Sequence, residues 1–101
     1  MFGLLDRDIK YILQAISKLK EIERAVIFGS RAMGNYKKGS DVDIVVMGNN
    51  ITKDTILQLD EYLNEIYPLP YFFDIINYNE ISNKKLKEHI DKVGKEIYIR
   101  K

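Results

Sequence analysis

The sequence predicts an α+β fold, a small β-sheet flanked by helices, formed as one domain over residues 1–101. Three observations carry this reading. Segments with apolar residues at helical spacing alternate with short β-branched or aromatic runs, too short for helices and bounded by Gly, Asn or Pro. The composition, 46% hydrophobic and 31% charged, is that of an ordinary globular protein. A chain of 101 residues can bury roughly 60 to 70% of its unfolded surface around one core, which leaves little area for a deep pocket or a second domain.

Leu5, Ile9, Ile12, Ile16 and Leu19 step by three and four along one helix face, with Asp6 and Asp8 near its start and Lys18 and Lys20 near its end. Ala25 to Phe28 is an apolar run stopped by Gly29 and reads as a buried strand. Ser30 is expected to cap a short helical turn through Met33 that Gly34 ends. Asn35 to Ser40 is polar and reads as a loop that delivers the chain to Val42–Met47, a β-branched central strand. Thr52 is a fitting N-cap for a helix built on Ile56, Leu59, Leu63 and Ile66, which Pro68 and Pro70 forbid from continuing. Tyr71 to Ile76 reads as a third strand, Leu86, Ile90 and Val93 as the seam of a helix ended by Gly94, and Glu96 to Arg100 as an edge strand.

Charge and composition exclude several classes. Sixteen basic against fifteen acidic residues give a net charge of +1, so no polybasic field marks nucleic acid as a direct substrate. The distribution is uneven, with a net +4 over residues 84–101 and −3 over the remainder. Cysteine is absent, which excludes disulfides and cysteine-held zinc and fits a reducing compartment. No apolar run approaches the roughly 20 residues that span a bilayer, and no signal-peptide pattern opens the chain, so the expectation is a soluble, cytoplasmic protein without a membrane partner.

Three carboxylates stand out. Asp41 and Asp43 fall on one face of a strand with α-carbons about 6.6 Å apart, where they repel. Asp74 sits among Tyr71, Phe72, Phe73, Ile75 and Ile76, where an ionised group requires compensation. If the two strands are neighbours, the acids converge, and a hard divalent cation, magnesium first, is the natural ligand. Magnesium held by few carboxylates completes its shell with water and substrate phosphates. Gly29 and Ser30, at a strand-to-helix junction with free amides, are where phosphate would sit. Each piece also has an ordinary structural meaning: a turn for Gly-Ser, solvated turn chemistry for Asp-Val-Asp, and a salt bridge to Arg31 or a lysine for Asp74. Their conjunction, in this order, favours a nucleoside triphosphate held between a phosphate turn and a metal-holding strand.

Gly29-Ser30, ten intervening residues, Asp41-Val42-Asp43 and a later acid at Asp74 resemble the nucleotidyltransferase superfamily that includes DNA polymerase β. Within it, IFGSRAMGNYKKGSDVDIVV is similar to the minimal nucleotidyltransferases (MNT), the MntA-like antitoxins of HEPN/MNT toxin–antitoxin pairs. The resemblance implies the nucleotidyltransferase fold with a small mixed sheet. It implies that Asp41, Asp43 and Asp74 are the catalytic, metal-binding acids for two magnesium ions, and that Gly29, Ser30 and Arg31 bind the nucleotide. It implies ATP as substrate, a HEPN-domain toxin as partner, and transfer of AMP (AMPylation) to a protein hydroxyl, a tyrosine of that ribonuclease, by which the antitoxin silences it. Met33 stands where, by the same resemblance, close relatives often carry a second basic residue.

Two other functions compete. One is an antitoxin that inhibits its HEPN partner by binding alone; the other is a small-molecule nucleotidyltransferase, disfavoured by the lack of a second domain to enclose a substrate. Unused acids facing each other on a strand would be an electrostatic cost without return, which favours catalysis. Lys37 and Lys38 read as solvated loop lysines, the tyrosines near the strands as core packing or edge cover, and the basic C-terminal segment as a solvated face. His89, beside the last helix's apolar seam and far in sequence from every acid, reads as a surface or boundary residue outside the chemistry.

Overall fold

Alternation along the strands decides how the sheet is covered. The computed structural model describes residues 1–101. Its strands are β1 (Arg24–Phe28), β2 (Val42–Met47), β3 (Phe73–Asn77) and β4 (Lys95–Ile99); its helices are α1 (Asp6–Ser17), α2 (Gly29–Met33), α3 (Lys53–Glu61) and α4 (Lys84–Val93). The element order is the one the sequence predicts. The sheet runs β3-β2-β1-β4, with β2 and β3 parallel and the other pairs antiparallel, a mixed sheet.

Ala25 and Ile27 of β1, Val42, Ile44 and Val46 of β2 and Phe73 of β3 point to one face. There they meet Ile12, Ala15, Ile16 and Leu19 from α1 and its end and Leu59 and Leu63 from α3 and the turn after it, in a core of 14 buried residues. The opposite face is thinner: Val26, Phe28 and Val45 meet Ile90 of α4. Asp43 shares that second face with Val45, since the two are two residues apart on one strand. The site therefore lies on the sparsely covered side.

Several local devices fix these elements. Thr52 caps α3 as expected, accepting from Thr55 N–H at 3.3 Å. The helix does not stop at Glu61 but passes into a π-helical turn over Tyr62–Ile66, and Pro68 follows. That wider turn carries Asn64, whose amide accepts from Phe73 N–H at 2.8 Å and donates to Phe73 O at 3.0 Å, pinning the start of edge strand β3. Tyr71 and Phe72 lie outside β3, and Phe72 is 58% exposed.

Two expectations are corrected. Ser30 does not cap α2: the N-cap position is Phe28, no side chain caps it, and Ser30 lies inside the helix, which Gly34 ends in the left-handed conformation as predicted. Asp74 is not enclosed by its aromatic neighbours. Strand alternation turns it away from buried Phe73, to an exposed position on the other face, so its apolar sequence context overstated its burial.

Candidate active site

The parallel register of β2 and β3 pairs Asp43 with Asp74, and the antiparallel register of β1 and β2 pairs Asp43 with Phe28, the residue before Gly29. Cross-strand partners share a face, and adjacent strands lie about 4.8 Å apart. Asp43 and Asp74 are thus side by side, with Asp41 one alternation upstream of Asp43. Val42 N–H donates to Phe72 O at 2.9 Å and closes the ladder beside them.

Gly29 completes the cluster from the other strand. Its φ is +73°, open to glycine at little cost, and a methyl group built on its α-carbon would overlap Oδ2 of Asp43. The turn after β1 and the acid of β2 therefore touch, in a contact that a side chain at Gly29 would displace. Ser30 follows at once, partly exposed at the head of α2.

The electrostatics report the same proximity. Burial raises the pKa of Asp43 above its ordinary value; the negative charges of Asp74 and then Asp41 add to the rise, and His89 opposes it. No ion pair relieves the three acids: the ion pairs of the fold are Arg7–Asp8 and Arg24–Glu96. The side chains do not draw together into a ready-made cation cage. An all-oxygen donor set, with one member held short of easy ionisation by its neighbours, fits a hard divalent cation, which would remove that repulsion.

Arg31 departs from a free surface cation. It is 3% exposed, and its guanidinium donates to Ser40 O from Nε at 3.1 Å and from one terminal nitrogen at 2.8 Å, and to Phe2 O at 2.8 Å from the other. The rings of Tyr36 and Tyr71 lie on it, each 5.0 Å from its central carbon. Arg31 thus clamps the N-terminal segment and the loop that leads into Asp41. It makes no ion pair with Asp74.

His89 corrects the sequence reading more sharply. It is a boundary residue, as expected, but it stands at the site: its Nε2 accepts the N–H of Gly29 at 3.1 Å, and its ring meets Phe28 edge-on at 6.2 Å between centroids. No local signal could have revealed a contact across 60 residues. Asn64 was missed for the same reason, since its partner Phe73 belongs to another element. Asp41, Asp43 and Asp74 line none of the surface cavities; Asp41 and Asp74 are exposed on an open face and Asp43 is half-buried between them.

A mixed sheet that sets two acids side by side on a parallel strand pair, with a third just upstream and a glycine turn pressed against them, has the architecture of a nucleotidyltransferase. The family model described as Polymerase beta, Nucleotidyltransferase matches residues 10–101, and the chain belongs to that family. Among solved structures, the chain is similar to that of a toxin–antitoxin with AMP-PNP, with a TM-score of 0.72 at 19% identity over 97% of this chain and 76% of the other. It is similar to the toxin–antitoxin MntA-HepT, TM-score 0.70 at 15% identity over 95% and 74%. It also resembles a chain of the tri-AMPylated Shewanella oneidensis HEPN toxin in complex with MNT antitoxin, TM-score 0.69 at 16% identity over 93% and 71%. At such identities these likenesses establish the shared fold. No curated protein matches the chain significantly. No helix is long and apolar enough to cross a membrane.

Proposed function

We propose that the protein is an antitoxin of the MNT type that transfers AMP from ATP to a hydroxyl, a tyrosine for preference, of a HEPN-type toxin partner. The observation that carries this reading is the contact of three elements at one point: Asp43 paired with Asp74 across β2 and β3, with Gly29 pressed against Asp43. In the proposed reaction the acceptor oxygen forms a bond to the α-phosphorus, the bond from that phosphorus to the bridging oxygen of the β-phosphate breaks, and pyrophosphate leaves with the electron pair. The acceptor's proton passes to solvent or to a carboxylate, Asp74 being the exposed acid best placed on the edge strand to receive it. Asp41, Asp43 and Asp74 would hold two magnesium ions, which when bound supply charge neutralisation at the attacking and leaving oxygens. Ser30 and the backbone of the Gly29–Ser30 turn would bind the terminal phosphates. Arg31 would support that turn from behind, through its clamp on Ser40 and Phe2.

The open face supports an acceptor that brings its own surroundings, and so favours a protein over a small molecule. The likeness to a toxin–antitoxin with AMP-PNP and to a tri-AMPylated HEPN toxin in complex with MNT antitoxin supports the nucleotide and the partner in this reading. The test is incubation of the protein with ATP labelled in the α-phosphate, magnesium and its HEPN-type partner. Label is expected on the partner, and none when Asp41 and Asp43 are both changed to Asn. If that double variant still neutralises the toxin fully in cells, inhibition is by binding alone and the transfer reading fails.

A further inference from the structure

The peptide N–H of Gly29 is at the centre of the proposed phosphate turn, yet it is not free. It donates to the lone pair of His89 Nε2 at 3.1 Å, so that nitrogen is the ring's acceptor. No side chain caps the head of α2, where Gly29 is at φ +73°, so the Gly29 N–H has no local partner. The hold comes from α4. That helix is itself well fixed, with Ile90 in the cluster of Val26, Phe28 and Val45 and with Leu86 packed against it. At its end Gly94 lies so close to β1 that a methyl group there would stand 2.6 Å from Cγ1 of Val26. The edge-on contact with Phe28 fixes the ring's orientation.

We infer that His89 is a positioning residue of the nucleotide site: by holding the Gly29 peptide it orients Ser30, leaving the Ser30 N–H and hydroxyl as the donors presented to the terminal phosphates. The inference rests on the phosphate role proposed above for the Gly29–Ser30 turn. It assigns the last helix, otherwise a cover for the sheet, a part in nucleotide recognition. A residue that acts on the terminal phosphates alone discriminates between nucleotides: its loss weakens a triphosphate and leaves a monophosphate nearly untouched.

The experiment is calorimetric titration of the wild-type protein, His89→Ala and His89→Gln with adenylyl imidodiphosphate and with AMP, each with magnesium. The Ala variant is expected to bind the triphosphate analogue about tenfold more weakly, the loss of one oriented peptide hydrogen bond, and AMP within about twofold of wild type. The Gln variant, whose Oε1 can accept the Gly29 N–H, is expected to return the analogue to within about threefold. In the transfer assay the KM for ATP should rise in the Ala variant by a larger factor than kcat falls. Equal weakening of AMP and the analogue would mean a merely structural role and overturn the inference. So would analogue binding in the Ala variant as tight as wild type or tighter, which would make His89 a competitor for the amide. Failure of Gln to restore binding would overturn it too, because the ring would then contact phosphate directly. If the wild-type protein binds no triphosphate, the phosphate turn itself is refuted, an outcome separate from a variant that matches a binding-competent wild type.

Discussion

The carboxylate of Asp43 lies half-buried between Asp74, Asp41 and the backbone of Gly29, and burial with the two like charges holds its pKa above the ordinary value of 3.8. A raised carboxylate is a cost to the fold. Between 3.8 and its raised native value the unfolded chain has released this proton and the native chain has not, so stability falls as pH rises through that window and the penalty is complete above it. Asp43→Asn removes the charge. It is expected to raise the melting temperature at pH 7 by roughly 2 to 4 °C, a small shift because the group is partly solvated, and the gain should vanish in melts below about pH 3.8. The same variant is expected to lower the proposed transfer to the partner at least about 100-fold, since it removes a central member of the proposed metal-binding set. A drop in melting temperature at pH 7 would contradict the electrostatic account. On the proposed magnesium role, a proton and a cation would compete for Asp43, so magnesium affinity should weaken on acidification sooner than for an ordinary aspartate.

At the scale of elements, what positions the acids is the way α3 and its π-helical extension hold β3. Asn64 bonds both backbone groups of Phe73, one residue before Asp74. Asn64→Ala should cost about 1 to 2 kcal/mol in urea melts and reduce transfer by roughly tenfold, because the strand bearing Asp74 loses its register anchor. Thr52→Ala, which removes the cap at the far end of the same helix, should cost about 1 kcal/mol and leave the transfer rate within about twofold. If the two variants lose activity in proportion to stability alone, Asn64 has no special hold on Asp74. Val42–Met47 matches the sequence reading residue for residue, and Thr52 and Gly94 stand where their chemistry places helix ends, because β-branched runs, caps and stops are local signals. Asp74's exposure was not legible from its apolar neighbours, since a strand sends neighbours to opposite faces. His89 and Asn64 were not legible either, since each acts on backbone supplied by a distant element. Arg31 was legible as a cation beside the turn but not as a clamp, because its partners are carbonyls and rings that only the fold brings to it.

The molecule as a whole is built asymmetrically, with 14 buried residues on one side of the sheet and four on the other. The thick side supplies most of the stability, and the thin side leaves Asp41 and Asp74 exposed and Asp43 half-buried. Such a fold should respond strongly to a ligand that fills the thin side, because anything bound by the native state alone stabilises it by mass action. At a concentration a hundredfold above its Kd, a nucleotide contributes about 2.7 kcal/mol, which in a chain near this length raises the melting temperature by roughly 10 °C or more. The metal and the nucleotide should depend on each other. Three carboxylates repel a triphosphate without a cation between them, so ATP with a chelator should produce little shift; magnesium alone meets an incomplete shell and should produce about 1 to 2 °C. The two together should exceed the sum of the separate shifts, and the excess should vanish when Asp41 and Asp43 are both changed to Asn. Thermal melts in the four combinations of metal and nucleotide check this directly. Additive shifts, or an excess that survives in the double variant, would place the metal and the nucleotide away from the paired acids of β2 and β3.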